Sequence, residues 1–452
     1  MKQIWFNFLV FLVILLASIF IHKDSFNLNY PGLIDDGSDI VEVKENSYID
    51  LIKLSFNQER TRPVRLIIRK ILYDKYDGEN FYIYHIINAV TVAVLIFLVY
   101  FILNISTRKK ILSALFSLSI FLLPQLYANS IRLGTDEIYQ VIFLLFLVIS
   151  LHYKKYWFSF LFFLLNIFIK ESGIFYILIP LYYFLDEFFK KKKSILEVVK
   201  KLLPYITVCL FLTVIMIIKM LFLKENSYIT RSVTLEQIYQ NILINRPIVI
   251  SILLIIILDL CFFRKEKIEK ILNILVISSV FIYLTWNCDQ DYYYLPTMIF
   301  GCICFSNVLI RLSKNKILQI LISVLFLAIG YKLYKNITKN YFDYYLKYEE
   351  RMISLTPFFI ENDFSSGLIY FDLGGFEKND KARIYLTEWN KINKSIPEII
   401  SANYYDRVND LFLKENSNKK ILITYINNPF LNTSFNKKTI GDDFFYIYSV
   451  KE

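Results

Sequence analysis

Three carboxylates lie close together in the stretch YPGLIDDGSDI, residues 30–40, which follows an apolar run near the start of the chain. They are Asp35, Asp36 and Asp39. Carboxylates act in proteins as proton acceptors for attacking hydroxyl groups, so this cluster is a candidate active site. The alternative is a solvated turn, because the stretch also contains two glycines, which favour turns.

Two arginines follow in NQERTRPV, residues 57–64. Arg60 and Arg62 precede Pro63, a residue suited to the first position of a helix. The free N–H groups of a helix start favour an anion, and a guanidinium group matches the geometry of phosphate oxygens. The pattern therefore predicts a phosphate-binding role for Arg60 or Arg62.

Two further ionisable pairs lie beside apolar segments. Asp136 and Glu137 open one such segment, although acidic residues are also ordinary in the first turn of a helix. Lys170 and Glu171 interrupt the apolar stretch 156–185, which is too long for one helix. Ionisable residues are costly at membrane depth and often functional there, so we interpret this break as a hairpin with a role in the site.

The composition indicates a membrane protein. The chain has 452 residues, of which 56% are hydrophobic and 20% charged. Its five cysteines show neither metal-ligand spacing nor a disulfide framework. The net charge of +11 comes from short basic clusters between apolar runs, a placement that sets membrane topology and argues against nucleic-acid binding.

A spanning helix needs roughly 20 mostly apolar residues, and about eleven segments approach this length. They are 4–21, 83–103, 111–127, 138–152, 156–169, 173–188, 203–222, 246–263, 271–286, 292–312 and 316–334. The first resembles a signal peptide, but it lacks a clear cleavage site and is interpreted as an uncleaved helix.

Lysine and arginine predict the orientation of these segments. Alternate short loops are strongly basic, at 108–110, 154–155, 190–193, 264–267 and 311–316. Basic loops are cytoplasmic, so the N-terminus is predicted inside the cell. The opposite loops, the first outside loop 23–82 and the tail from 335 are then extracytoplasmic, in a multi-pass protein of the cell membrane.

The first outside loop contains two candidate surface helices. Residues 63–73 carry an apolar stripe at helical spacing, with Arg65 and other basic residues on the opposite face. Residues 46–58 are a weaker candidate, capped by Asn46 or Ser47. Both are too short to span, so they are predicted to lie at the membrane surface.

Taken together, these motifs resemble the GT-C superfamily of integral membrane glycosyltransferases, which includes protein O-mannosyltransferases, aminoarabinose transferases and O-antigen-modifying glucosyltransferases. The resemblance covers roughly residues 1–335. It rests on the order of an acidic pair after the first span and of later elements: Asp35-Asp36, TRPV (61–64), RLGTDE (132–137), Lys170-Glu171 and YYYLP (292–296). One departure is Asp291, which stands near a position where some relatives carry arginine.

The resemblance implies transfer of a sugar from a polyprenyl-phosphate carrier to an acceptor on the outer face. Asp36 or Asp35 would be the base, and Arg62, Arg132 and Lys170 would bind the donor phosphate. Supporting roles would fall to Asp136, Glu137 and Glu171, and acidic residues of that loop bind a divalent cation in some relatives. The implied partners are the polyprenyl-phosphate sugar, membrane lipid and an envelope glycan, lipid or protein acceptor.

The tail has a different character. The segments 367–373, 382–389, 420–426 and 444–450 are rich in β-branched and aromatic residues and are predicted strands, with 396–413 as a helix between them. The sequence therefore predicts a transmembrane domain, 1–335, and a small α/β accessory domain, 336–452.

Two other functions remain open. A transporter or flippase of envelope lipid or sugar would favour an internal repeat and charges deep within spans, and the sequence shows no clear repeat. A non-catalytic protein on the same scaffold is the other alternative, because no single motif is diagnostic of catalysis.

Overall fold

The computed structural model of this chain describes a helical N-terminal part and strands near the C-terminus. The residues described are 2–27, 43–44, 46–57, 61–76, 81–131, 136–191, 194–222, 236, 239–240, 267–285, 291–312, 331, 368–372, 399–401, 420–424, 431, 435–440 and 445–450.

The helices follow the apolar segments of the sequence. They are α1 (Lys2–His22), α2 (Tyr48–Asn57), α3 (Pro63–Tyr76), α4 (Phe81–Thr107), α5 (Lys110–Leu118), α6 (Pro124–Ile131), α7 (Asp136–His152), α8 (Tyr156–Ile169), α9 (Leu178–Lys191), α10 (Ile195–Phe222), α11 (Lys267–Thr285) and α12 (Leu295–Leu312). Short 3₁₀ segments are Ser25–Asn27, Ser119–Leu122, Glu171–Ile177 and Asp291–Tyr294.

Several described helices are long and apolar enough to cross a membrane. There are four by length and composition: Ile4–His22, Tyr82–Thr107, Glu171–Lys190 and Ile195–Lys219. Shorter apolar helices accompany them, and the predicted segments 246–263 and nearly all of 316–334 lie outside the described residues. The chain is thus a multi-pass membrane protein, as its hydropathy predicts.

One predicted span is bent. The sequence predicts a single helix over 111–127. In the structure, the stretch Lys110–Leu122, which begins with α5, meets α6 at an angle of 64°. Leu123 between them is extended, and Pro124, which has no N–H to donate to the preceding turn, begins the second helix. Counted as one broken span, this pair would be a fifth crossing.

Both helices predicted in the first outside loop are present. Ser47 caps α2, because its Oγ accepts from the backbone N–H of Asp50 at 3.3 Å and donates to the Asp50 carboxylate at 2.6 Å. The helix α3 begins at Pro63, as expected. Their position at the membrane surface stays a prediction.

The chain divides into two compact units. The first comprises Met1–Phe26, Ser47–Ile68 and Tyr84–Lys339, and the second comprises Asn27–Asn46, Arg69–Ile83 and Asn340–Glu452. In the first unit, buried aliphatic and aromatic side chains of the packed helices form one core, in which Tyr100, Phe163 and Tyr205 are among the largest fully buried side chains.

The second unit contains a mixed sheet. Its strands are β1 (Leu368–Asp372), β2 (Ile399–Ser401), β3 (Lys420–Thr424), β4 (Phe435–Ile440) and β5 (Phe445–Val450). Their order is β2-β1-β3-β5-β4, with β1 parallel to both β2 and β3, and β5 antiparallel to β3 and β4. The predicted strand 382–389 lies outside the described residues.

The sheet corrects one prediction and adds an edge strand. A helix was expected over 396–413, but Ile399–Ser401 pair with β1 as a strand. Isoleucines favour a strand there, and pairing with an existing edge decides the conformation of so short a segment. The edge strand β4 was not predicted because Lys437 and Lys438 interrupt its apolar pattern. Edge strands commonly carry such lysines, which discourage pairing with other chains.

Candidate functional site

Ionisable side chains from three separate regions meet in the first unit. Arg62 directly precedes α3, Asp136 and Glu137 form the first turn of α7, and Lys170 and Glu171 lie where α8 ends. The helix α8 ends because Lys170 is extended, with φ −156° and ψ 128°, and a 3₁₀ segment begins at Glu171. This confirms the predicted break in the apolar stretch.

Arg62 bridges two carboxylates. Its Nη1 donates to Oδ2 of Asp136 at 2.7 Å, and its Nε donates to Oε2 of Glu171 at 2.8 Å. Arg62 is only 7% exposed, so its positive charge would be costly to bury without the two carboxylates. Burial alone would lower the pKa of Arg62, but the nearby Glu171 and Asp136 carboxylates raise it above its ordinary value, so the guanidinium stays charged.

Arg65 adds a second guanidinium to the same carboxylate. Its Nη1 lies 3.3 Å from Oδ2 of Asp136, one turn along α3 from Arg62. Its side chain is 11% exposed. The sequence predicts Arg65 on the polar face of a surface helix, near lipid phosphates, whereas in the structure it contacts the acidic start of α7. Asp136 therefore binds two guanidinium groups through one oxygen.

Lys170 contacts both a carboxylate and an aromatic ring. Its ammonium group forms a buried ion pair with Oε1 of Glu137. The same nitrogen lies 4.7 Å from the centroid of the Tyr293 ring, within the range of a cation–π contact. Tyr293 belongs to the YYYLP element, one of the motifs on which the resemblance rests. The contact connects that element to the site.

Close packing at Gly173 positions the pair Lys170 and Glu171. A Cβ added at Gly173 would lie 2.7 Å from the carbonyl oxygen of Asn166 and 2.8 Å from Cα of Ile167. The N–H of Gly173 donates to the carbonyl of Lys170 at 2.8 Å, and the Asn166 amide donates to the Gly173 carbonyl at 3.2 Å. Only glycine allows the turn to pack this tightly against the end of α8.

A second layer supports the backbone of Arg62. Its N–H donates to Oγ of Ser55 at 2.7 Å. Lys219, near the end of α10, donates to Oγ1 of Thr61 at 2.7 Å and to the carbonyl of Ser55 at 3.4 Å. These contacts connect α2, the start of α3 and α10 around the guanidinium.

The described carboxylates of the site already bind cationic side chains. Asp136 contacts Arg62, Glu137 contacts Lys170, and no group of three or more His, Cys, Asp or Glu that could hold a metal ion occurs among the residues described.

The structure brings together most of the site residues predicted from the sequence. Those in the ionic network are Arg62, Asp136, Glu137, Lys170 and Glu171. Asp35, Asp36 and Arg132 lie outside the described residues, so their roles remain predictions.

Sequence reasoning did not assign Arg65 or Lys219 to the site. A lysine within an otherwise apolar span is a recognised signal of function, and Lys219 carries it. It lies close to the end of the predicted span 203–222, however, where a charged residue is ordinary. Arg65 offered no such signal, since an arginine on the polar face of a surface helix is common.

Comparison with known proteins agrees with this fold. No family model matches the chain, and no curated protein matches it in sequence. The chain is a multi-pass membrane protein with a GT-C-like fold. A similar solved structure is the crystal structure of ArnT from Cupriavidus metallidurans bound to undecaprenyl phosphate, with a TM-score of 0.53, 9% sequence identity and coverage of 97% of each chain. This likeness confirms the fold expected from the motifs.

Proposed function

We propose that this protein is a membrane glycosyltransferase that moves a sugar from a polyprenyl-phosphate carrier to an acceptor of the cell envelope. The observation that carries the proposal is the buried network around Arg62, in which guanidinium and ammonium groups gather at helix ends. The structure of ArnT, which has a similar fold, is bound to undecaprenyl phosphate, and this supports a carrier of that chemical class.

The network suits a leaving group that gains negative charge. Within the described residues it contains four cations, Arg62, Arg65, Lys170 and Lys219, and three carboxylates. The carboxylates hold the guanidinium groups in place, so little reorganisation is needed when charge develops on a phosphate oxygen nearby. We therefore assign donor phosphate binding to Arg62 and Lys170, with Arg132 as a further candidate.

The proposed reaction is a substitution at the anomeric carbon of the sugar. The acceptor hydroxyl gives its proton to Asp36 or Asp35 as its oxygen bonds to that carbon. The bond between the anomeric carbon and the phosphate oxygen breaks, and polyprenyl phosphate leaves with the electron pair. Asp136, Glu137 and Glu171 act as positioning residues for the cations.

We propose that transfer takes place on the extracytoplasmic side. The alternation of basic loops predicts that the first outside loop, 23–82, and the tail from 335 lie on that side. The acceptor would be an envelope glycan, lipid or protein, and the predicted accessory domain, 336–452, would contribute to its binding.

Asp36→Asn tests the proposed base, because it keeps the size of the side chain and removes the proton acceptor. Transfer should fall by about 10²–10⁴-fold in proteoliposomes supplied with polyprenyl-phosphate sugars, while binding of the carrier persists. Asp35→Asn is the matched control for the adjacent carboxylate, and a loss there instead would move the role by one residue.

Full transfer by both single variants and by the double variant would remove this loop from catalysis. If no polyprenyl-linked sugar is transferred but a lipid or solute crosses the proteoliposome membrane, the protein is a transporter. Arg62→Ala should weaken use of the donor more than use of the acceptor, because its proposed partner is the carrier phosphate.

A further inference from the structure

A cavity lies at the other end of the same helices. It has a volume of about 230 Å³, and its wall combines apolar surface with five charged residues, Lys154, Asp186, Glu187, Lys190 and Lys267. The helix α7 begins at the Arg62 network and ends at His152, which also lines this cavity. With a rise of about 1.5 Å per residue, the cavity lies roughly 25 Å from the network.

Both signs of charge line this cavity. Asp186 binds two ammonium groups, that of Lys190 at 2.8 Å and that of Lys267 at 3.6 Å. Glu187 is 2% exposed, and its Oε2 accepts from the Tyr156 hydroxyl at 3.4 Å. Lysines and carboxylates side by side are complementary to a ligand that itself carries a phosphate and an amine.

The Tyr183 ring shows that the cavity wall attracts cations. The Lys267 ammonium lies 3.3 Å from the centroid of this ring. Aromatic faces bind alkylammonium groups through the same electrostatic attraction. A ligand amine that displaces the Lys267 ammonium would therefore meet both a carboxylate and an aromatic face.

Lys154 occupies a backbone position that glycine normally fills. Its φ is 58°, in the left-handed region, where L side chains are unfavourable. Lys155 N–H donates to the Ser150 carbonyl at 2.8 Å and Lys154 N–H to that of Leu151 at 3.0 Å, which is the Schellman pattern that ends α7. A lysine at this position makes the turn less stable than a glycine would. The side chain of Lys154 lines the cavity.

Exposed aromatic side chains flank the cavity residues in sequence. Tyr153, beside Lys154, is 52% exposed, and Phe189, beside Lys190, is 75% exposed. Trp157 on the next helix is 71% exposed. Aromatic residues in membrane proteins concentrate at the level of the lipid head groups, so the cavity opens where head groups lie.

From these features we infer that this cavity binds the head group of a phospholipid that carries a primary amine. Lys154 contacts the phosphate, together with Lys190, while the amine is held by Glu187 and Asp186. This site is separate from the proposed transfer site. Through it the protein would contact a specific lipid in the leaflet that borders the basic loops. The shared chemistry, a phosphate with a nearby amine, is also that of free phosphoethanolamine.

Lys154→Gly is a sharp test because glycine fits the left-handed backbone and removes the ammonium group. The full-length protein, delipidated in detergent, would be titrated with phosphatidylethanolamine and followed by native mass spectrometry. We expect binding to weaken about tenfold, the change that 1.4 kcal/mol produces, with no loss of thermal stability. The matched control is Arg108→Gly, since Arg108 has the same φ of 58° at the end of α4 but does not line the cavity.

Lipid comparison tests the amine assignment. The wild-type protein should bind phosphatidylethanolamine more tightly than phosphatidylcholine, whose amine cannot donate, and more tightly than anionic phosphatidylglycerol. Glu187→Gln should remove the preference over phosphatidylcholine while retaining binding, because glutamine can still accept from Tyr156. Free phosphoethanolamine should compete only weakly, since it lacks the acyl chains.

Three results would overturn the inference. One is equal weakening by Lys154→Gly and Arg108→Gly, and another is tighter binding of phosphatidylglycerol than of phosphatidylethanolamine. The third is displacement of the lipid by millimolar inorganic phosphate, which would make the cavity a general phosphate site.

Discussion

Nη1 of Arg62 lies 2.7 Å from Oδ2 of Asp136, and this ion pair connects the residue before α3 to the first turn of α7. Both side chains are less than 10% exposed, at 8% and 7%. Because the same guanidinium also binds Glu171, neither carboxylate can be considered alone. The pair is the centre of the candidate site, and its energetics can be measured directly.

Removal of Arg62 should destabilise the protein strongly. Arg62→Ala leaves Asp136 and Glu171 as buried charges without their main partner, which typically costs about 3–5 kcal/mol. Thermal and denaturant unfolding in detergent would measure the loss. A double-mutant cycle with Asp136→Asn should recover part of it, because the uncompensated charge is then removed.

An exposed ion pair in the same region serves as the control. Lys53 and Asp50 lie 3.6 Å apart with side chains 70% and 54% exposed. Lys53→Ala should leave unfolding unchanged, because exposed pairs are screened by solvent. If Arg62→Ala also leaves the free energy of unfolding unchanged, the buried network does not stabilise this part of the fold.

Variants of Lys170 and Glu137 should affect stability and activity differently. Lys170→Met leaves the Glu137 carboxylate buried without its partner and should lower stability, whereas Lys170→Met with Glu137→Gln should restore most of it. The double variant should still transfer sugar poorly, because the cation proposed to bind the donor phosphate is absent. Melting curves and a transfer assay on the same preparations test this, and an active double variant would exclude Lys170 from donor binding.

Gly173→Ala should disturb the turn that carries Lys170 and Glu171. The new methyl group would overlap the Asn166 carbonyl and Ile167 Cα, and such overpacking costs about 1–3 kcal/mol. The neighbouring Ser172→Ala adds no atom and should cost about 1 kcal/mol, through its lost hydrogen bond with Gln140. Equal stability of Gly173→Ala and the wild-type protein would show that the turn can open without consequence.

The proposed topology can be tested by cysteine labelling, since Thr439 and Lys190 are both exposed. After replacement of the native cysteines, a cysteine at 439 should react with a membrane-impermeant maleimide in intact cells. A cysteine at 190 should react only after permeabilisation. Reaction of both from the same side would contradict the orientation derived from the basic loops.

The sequence predicted elements whose stability depends on local pattern. The apolar runs predicted the helices, segments rich in β-branched and aromatic residues predicted β1, β3 and β5, and Pro63 predicted the start of α3. Prediction from the sequence failed where pairing with a neighbouring strand decides the conformation of a segment. Ile399–Ser401 form a strand because β1 offers them an edge, and β4 is held by β5 despite its lysines.

The sequence predicted part of the membership of the candidate site, but not the pairing of its residues. The predicted topology put Arg62, Asp136 and Lys170 on one side of the membrane, whereas Arg65 and Lys219 were not assigned to the site. Nothing local indicates that Arg62 binds Glu171, 109 positions away, or that Lys219 donates to Thr61, 158 positions away. Such contacts depend on how the helices pack, which no single segment encodes.

The long separations within the network also bear on how the protein is made. Arg62 leaves the ribosome 109 residues before Glu171, a delay of about 5–20 s at a synthesis rate of about 5–20 residues per second. Asp136 follows Arg62 after 74 residues, and until then the guanidinium has neither carboxylate available and must stay in water or among head groups. The fully charged network can therefore close only after α7 and α8 have been inserted, and a chain released before residue 136 would expose Arg62 without either of its carboxylate partners.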